Sequence, residues 1–211
     1  MEIEIIPAIN VVSFEELQKR VRQVEPYVKW VHLDVADGTF TKNSIWHNPE
    51  DILKLRTPLF IELHLMITSI DERMQEWLKP NVTRAIFHVE AAKDPSAIID
   101  ICHRAGKEVG IAFLPETEPE LVFPFARKAD MVQVLAVTPG EAGQKFQDHT
   151  LQKILALRNY CPTCPLEVDG GVTQELAPQL IKSGATILVA ATVIFGSSNI
   201  QQAIDTLRGH A

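Results

Sequence analysis

The feature that most constrains the fold of this chain is an alternation of short β-rich runs with amphipathic segments, which continues from end to end. Most of the eight runs are almost continuously apolar, as expected for parallel strands covered by helices. Eight such βα units in 211 residues predict an α/β fold of the compact (β/α)8, or TIM, barrel type. The predicted strands are Ile3–Ile9, Trp30–Val35, Leu59–Met66, Arg84–Val89, Glu108–Phe113, Met131–Val137, Leu166–Val168 and Thr186–Ala190.

Helix signals lie between these strands. Ser13-Phe-Glu-Glu16 is a capping box that opens the first predicted helix, and Asp94-Pro95 places proline directly after an N-cap. The second and fifth helices, near Glu50–Leu55 and Pro119–Phe125, are predicted to be short. A doubly wound open sheet is the rival architecture, but it would carry a glycine-rich turn after its first strand, and Pro7-Ala-Ile-Asn10 is not one.

The composition excludes several classes of protein. Hydrophobic residues make up 46% of the chain and charged residues 22%, which is typical of a folded globular domain and excludes global disorder. The length predicts a single domain over residues 1–211. The formal net charge is -7 and no long basic cluster is present, so nucleic acid is not an expected partner.

Neither a membrane nor a secretory pathway is expected from the sequence. The longest apolar stretch, Ile187–Phe195, is about half as long as a membrane span, and the acidic N-terminal region lacks the charge of a secretory signal. We therefore predict a cytoplasmic protein with reduced thiols at Cys102, Cys161 and Cys164. The Cys161-Pro-Thr-Cys164 spacing suits a metal or a redox pair, but no second CxxC completes a zinc site.

Four polar residues stand at the ends of otherwise apolar strands, where barrels gather their chemistry. His32 and Asp34 are two residues apart and therefore face the same side of their strand, His64 ends the third strand, and Asp169 ends the seventh. Singly, each could be a core histidine or a turn former, but burying all four unpaired would be costly. Two imidazoles and two carboxylates suit one divalent ion of Zn, Fe, Mn or Co.

Glycine-rich loops predict a phosphate site beside these residues. Gly170 and Gly171 follow the seventh strand, Phe195-Gly196 precedes the last helix, and Thr138–Gln144 forms a loop that could close over a ligand. Bare backbone amides after the seventh and eighth strands are the recurrent phosphate site of barrels. We therefore expect a phosphorylated small molecule to bind here.

A series of short motifs in a fixed order covers nearly the whole chain. The motifs are Pro7-Ala-Ile, His32-Leu-Asp-Val-Ala-Asp-Gly38, His64-Leu-Met66, His88-Val-Glu90, Val137-Thr-Pro-Gly140, Gly143-Gln-Lys-Phe146, Glu167-Val-Asp-Gly-Gly-Val172 and Ile194-Phe-Gly196. The order of these motifs along the chain resembles that of the ribulose-phosphate 3-epimerase family.

The resemblance implies a barrel of the ribulose-phosphate-binding type that holds one divalent ion on His32, Asp34, His64 and Asp169. It implies that the two aspartates are the acid and base in epimerisation at C3 of D-ribulose 5-phosphate to D-xylulose 5-phosphate, through an enediolate, in the pentose phosphate pathway. The residues predicted to bind the sugar phosphate are Met66, Gly140, Gly143, Gly170, Gly171, Ala191 and Thr192. His88 and Glu90 are expected to be a structural hydrogen-bonding pair.

Several positions depart from the family pattern. The family usually has serine in place of Ala8 and methionine in place of Ala36 and Leu135, and Glu141 places a negative charge in the mobile loop. Two alternatives therefore stay open, an epimerase for another ketose phosphate such as a hexulose 6-phosphate, and a non-catalytic barrel that binds sugar phosphate. The oligomeric state is open too, because an exposed region around Phe40 and Trp46 is predicted to be a lid or a subunit contact.

Overall fold

A computed structural model describes residues 3–139 and 146–209. Eight parallel strands close into a barrel in which each strand pairs with its neighbours along the chain and β8 pairs with β1. The predicted (β/α)8 barrel is therefore confirmed. The strands are β1 (Glu4–Ile9), β2 (Trp30–Ala36), β3 (Phe60–Met66), β4 (Arg84–His88), β5 (Glu108–Phe113), β6 (Met131–Leu135), β7 (Leu166–Asp169) and β8 (Ile187–Ala190).

Helices of very different length surround the barrel. The Ser13 hydroxyl accepts a hydrogen bond from the Glu16 amide, and Asp94 caps the fourth helix through the Ala97 amide, as the sequence predicts. The helices are α1 (Phe14–Val24), α2 (Pro49–Ile52), α3 (Ile70–Trp77), α4 (Pro95–Arg104), α5 (Thr150–Tyr160), α6 (Ala177–Ser183), α7 (Thr192–Phe195) and α8 (Ile200–Leu207).

The segment between β5 and β6 contradicts the predicted fifth helix. Instead of a helix over Pro119–Phe125, the structure has a single 3-10 turn at Pro119–Leu121. Pro124 is the second-last residue of the predicted helix, where it lacks an amide hydrogen and its ring would collide with the preceding turn. Within the described ranges, no helix is both long and apolar enough to cross a membrane.

The structure also corrects two expectations about side chains. Trp46 is only 4% exposed, because its ring packs against Phe14 and Trp77 with centroids 6.4 and 6.0 Å away, so it is neither a lid nor an open contact surface. Cys161 and Cys164, with Cα atoms 5.5 Å apart, are joined in a disulfide. The prediction of reduced thiols is therefore wrong for this pair, whereas buried Cys102 is a free thiol.

Alternation along the strands divides the core into two parts. Side chains that face outward pack under the helices in one large apolar cluster, whereas those that face inward fill the barrel. The interior is apolar around Ile6, Ile86 and Ile187, but other residues on the same inward faces are polar and buried. These inward polar residues build the site described next.

Candidate active site

The structure brings together the four residues that the sequence singles out as metal ligands. His32 and Asp34 face inward from β2, His64 is the direct β3 neighbour of Asp34, and Asp169 reaches in from β7. One ligand atom from each residue lies within 4.8 Å of the others. The His64 Nδ1 lies 3.1 Å from Asp34 Oδ1 and 3.4 Å from Asp169 Oδ2.

A metal ion fits this arrangement on an observation independent of the motif. His32 Nε2 is buried and has no hydrogen-bond partner among the described residues, although it points at Asp34 Oδ1, 3.4 Å away, and Asp169 Oδ2, 3.9 Å away. A buried ring nitrogen that faces two carboxylates is a good position for a cation. The four residues could therefore hold a divalent ion.

Neighbouring side chains orient the two aspartates. The Asn10 amide donates to Asp34 Oδ2 at 3.0 Å, which leaves Oδ1 toward the histidines. The Gln133 amide donates to Asp169 Oδ2 at 3.3 Å. The sequence reasoning missed both residues, although the two-residue period that selects Asp34 also places Gln133 inward on β6.

The charges of the cluster shift the titration of its members. Burial opposes charge on Asp34, yet the neighbouring imidazoles of His32 and His64 hold its pKa well below its usual range. Burial likewise opposes protonation of both histidines, but the surrounding carboxylates outweigh it and raise the pKa of His32 and His64. Without a cation, these shifts favour the imidazolium form of both histidines beside Asp34.

His88 and Glu90 stand behind His64. The His88 Nδ1 lies 3.5 Å from Glu90 Oε2, while the other carboxylate oxygen of Glu90 accepts the Leu114 amide at 2.8 Å. His88 is not a member of the four-residue cluster. Burial lowers the pKa of the His88 imidazole, which favours its neutral form. Neither His88 Nδ1 nor Glu90 Oε2 has a hydrogen-bond partner among the described residues, so the expected hydrogen bond within the pair is not formed.

A cavity of about 590 Å³ opens above the cluster. Of the predicted substrate-binding residues, those that line it are Met66, Gly170, Gly171, Ala191 and Thr192. Gly140 and Gly143, together with Glu141, lie outside the described residues. Gly170 and Gly171 have φ of +102° and +66°, a left-handed backbone that only glycine adopts at little cost.

The positions that depart from the family pattern have different surroundings. Ala8 and Leu135 lie on the cavity wall. Ala36 is fully buried in a cluster with Ile45 and Met66, against which Phe40 packs, and it does not line the cavity.

Comparison with known proteins places these features in a family. The model of the ribulose-phosphate 3 epimerase family matches residues 4–195. A ribulose-phosphate 3-epimerase of Chlamydia muridarum is 37% identical over 85% of this chain and 82% of its own length. Those of Schizosaccharomyces pombe and Bacillus subtilis are each 31% identical, over 99% and 98% of this chain and 93% and 99% of their own lengths.

Solved structures support the fold. The 3-hexulose-6-phosphate synthase of Salmonella typhimurium superposes with a TM-score of 0.76 at 15% identity and covers 99% of this chain and 100% of its own. An orotidine 5'-monophosphate decarboxylase of Methanocaldococcus jannaschii gives 0.67 at 13% identity over 99% and 98%. The family match over most of the chain, the relatives above 30% identity and the shared barrel lead to one conclusion: this chain belongs to the ribulose-phosphate 3-epimerase family.

Proposed function

We propose that this protein is a metal-dependent epimerase that interconverts D-ribulose 5-phosphate and D-xylulose 5-phosphate. The observation that carries the proposal is the pair Asp34 and Asp169, which approach one cavity from β2 and β7 with two histidines between them. Epimerisation needs a proton removed from one face of a carbon and returned to the other, and two carboxylates on different strands can divide that task.

The metal is proposed on His32, Asp34, His64 and Asp169, with Zn, Fe, Mn or Co equally suited to two imidazoles and two carboxylates. When bound, it supplies a Lewis acid that stabilises negative charge developing on the ketone oxygen of the substrate. Asn10 and Gln133 hold one oxygen of each aspartate. We propose that one of the two carboxylates removes the C3 proton of the substrate and that the other returns a proton to C3.

The phosphate is proposed to bind at the far wall of the cavity. Gly170 and Gly171 follow β7, and Ala191 and Thr192 follow β8, so their backbone amides can converge on one anion. Met66, 2% exposed, forms part of the apolar floor beside the metal ligands. Gly140 and Gly143 are proposed to complete this site from the preceding loop.

Proton NMR of ribulose 5-phosphate in D2O tests the proposal. The protein is stripped of metal and then reconstituted with zinc, manganese, cobalt or iron(II). Metal-dependent loss of the C3 proton signal with formation of xylulose 5-phosphate is the expected result. Exchange in a hexulose 6-phosphate but not in ribulose 5-phosphate would move the assignment to another ketose phosphate. No exchange in either, from folded and metal-loaded protein, would leave a barrel that only binds.

Two further predictions concern the protein in the cell. A cytoplasmic location is proposed, in line with a rice relative named a cytoplasmic isoform, which is 31% identical over 89% of this chain. Homo-oligomer formation also stays a proposal, and light scattering of the purified protein tests it.

A further inference from the structure

A row of polar residues crosses four neighbouring strands just below the candidate metal site. The strand register pairs His32 with Glu62, Glu62 with Arg84, and Arg84 with Glu108. Because side chains at paired positions of a parallel sheet point to the same face, all four belong to one layer. His32 is the member of this row that also belongs to the candidate metal site.

Glu62 makes a short contact with the nitrogen of His32 that faces away from the site. Its Oε1 lies 2.7 Å from His32 Nδ1, and both side chains are fully buried. A carboxylate at this distance accepts the Nδ1 hydrogen, so that the lone pair of the neutral imidazole is on Nε2. The Nε2 atom is the one that faces Asp34 and Asp169.

Arg84 in turn holds Glu62. Its Nη1 donates to Glu62 Oε2 at 2.7 Å, while Nε and Nη2 donate to Glu108 Oε2 at 2.9 and 2.7 Å. The guanidinium also lies over the Trp30 ring, 4.2 Å from its centroid. Charge-assisted hydrogen bonds in a buried layer restrict the rotamer of Glu62 and hence the position of the oxygen that meets His32.

A second buried carboxyl group nearby does not share this role. Glu167 Oε1 is 3.8 Å from His32 Nδ1, beyond hydrogen-bond distance, and neither of its oxygens has a hydrogen-bond partner in the described part of the chain. The ligand atoms of His32, Glu62 and Glu167 are close enough for a cation, but the Arg84 guanidinium already supplies the positive charge at Glu62. Glu62 is therefore close enough to orient His32, whereas Glu167 is not.

We propose that Glu62, held in place by Arg84, is a positioning residue that fixes the ring orientation and tautomer of His32 and so presents Nε2 to a divalent cation. This inference rests on the proposed metal site but does not depend on which sugar phosphate is turned over. An outer carboxylate on a ligating histidine generally contributes about 10- to 100-fold to metal affinity.

Replacing Glu62 with glutamine makes a sharp test, because the two side chains have the same shape. In Glu62→Gln the amide oxygen stays with Arg84, so the amide NH2 group faces His32 Nδ1. The imidazole is then driven to the other tautomer, which places a hydrogen on Nε2, where the metal should bind. Glu167→Gln is the matched control, since it makes the same change at a fully buried glutamate near the same ring nitrogen but without a hydrogen bond to it.

The readouts are Zn²⁺ affinity, by competition with a chromophoric chelator, and the visible absorption of the Co²⁺-loaded protein. Glu62→Gln is expected to weaken Zn²⁺ binding by about 10- to 100-fold and to change the Co²⁺ spectrum. Glu167→Gln is expected to leave both unchanged. Urea unfolding of the metal-free variants shows whether stability alone has changed, which a merely structural role for Glu62 would predict.

Unaltered Zn²⁺ affinity in Glu62→Gln, or an equal loss in Glu167→Gln, would overturn the inference. If Glu62→Gln does not fold, Arg84→Lys replaces it as the test, because it keeps the positive charge but loses the forked hydrogen bonds, and a weakened affinity is again expected. A wild-type protein that binds none of the four metals would overturn the site itself. A wild-type protein that binds metal without epimerising would instead overturn only the proposed function.

Discussion

His64 Nε2 lies 2.8 Å from His88 Nε2, so these two imidazoles share one hydrogen bond beside the candidate metal site. Because burial favours neutral His88, its Nε2 accepts the hydrogen of His64. The other nitrogen of His64, Nδ1, then faces Asp34 and Asp169. The Phe40 ring packs on the His88 ring at a centroid distance of 4.7 Å.

Removal of the His88 acceptor is expected to weaken metal binding. In His88→Leu, the buried Nε2 hydrogen of His64 loses its acceptor, and we expect Zn²⁺ affinity to fall by about tenfold. His88→Gln retains an acceptor oxygen and is expected to bind more tightly than His88→Leu. Chelator competition measures both affinities. Equal affinities in the wild type and His88→Leu would contradict this role.

The two aspartates are expected to act on opposite faces of the substrate. Asp34→Asn and Asp169→Asn should each lower the epimerisation rate by about 10²- to 10⁴-fold, the usual contribution of a positioned acid or base. Each variant should still exchange the C3 proton of one epimer, because the remaining carboxylate reaches one face. NMR in D2O, starting separately from ribulose 5-phosphate and xylulose 5-phosphate, measures this.

The metal content of each aspartate variant is the necessary control, since both residues also belong to the proposed ligand set. Rates are compared only for fully loaded protein, at saturating Co²⁺ or Zn²⁺. If both variants lost exchange from the same epimer, the two aspartates would not act on opposite faces of C3.

Metal binding is expected to release protons and to weaken as the pH falls. Neighbouring carboxylates raise the pKa of His32 and His64 above the ordinary 6.5, so both imidazoles tend to be protonated in the metal-free protein. A metal needs the neutral ring, and about one to two protons should leave per ion near neutral pH. Isothermal titration calorimetry in buffers of different ionisation enthalpy counts them. Metal binding without proton release would contradict the raised pKa of His32 and His64.

The same shifts predict opposite pH trends in stability with and without metal. A raised pKa means that the stabilisation by His32 is complete below 6.5 and is lost as the pH rises through the folded value. The metal-free Tm should therefore fall over that range, while the metal-loaded Tm should rise. His32→Asn should reduce the fall in the metal-free Tm, with the raised pKa of His64 accounting for the part that remains, whereas replacement of His103, whose side chain is 42% exposed, should leave that fall unchanged.

Two glycines with the same backbone conformation should respond differently to alanine. Gly106 and Gly171 have φ of +70° and +66°, but an added Cβ meets nothing within 4 Å at Gly106 and lies 2.7 Å from the Phe146 nitrogen at Gly171. Gly106→Ala should cost about 1 to 2 kcal/mol of backbone strain. Gly171→Ala should cost about 1 to 3 kcal/mol more, because Phe146 must move. Equal losses in urea unfolding would contradict the close contact.

Much of the fold follows from local pattern. The apolar runs predict the eight strands to within a few residues, as Glu108–Phe113 illustrates, and the Ser13 capping box marks where α1 begins. The two-residue period of a strand is equally local, and it assigns His32 and Asp34 to the same face. The predicted fifth helix is wrong, because Pro124 interrupts the apolar pattern on which it was based.

The partners of the candidate ligands depend on contacts between distant parts of the chain. The pairing of Glu62 with Arg84 follows from the register between β3 and β4, and the contact between Asn10 and Asp34 joins the residue after β1 to a residue of β2. Nothing in one strand's pattern specifies the stagger of its neighbour, which is set by closure of the whole barrel.

The sequence alone thus determined the barrel, the inward faces of its strands and the four residues proposed to hold a metal. Only the tertiary structure decided which polar neighbours orient them, that Trp46 is buried, and that Glu62 contacts His32 while Glu167 does not. The two-residue period of a strand predicts the direction in which each side chain points from that strand. Distances between side chains depend on register and packing, which arise from interactions across the whole chain.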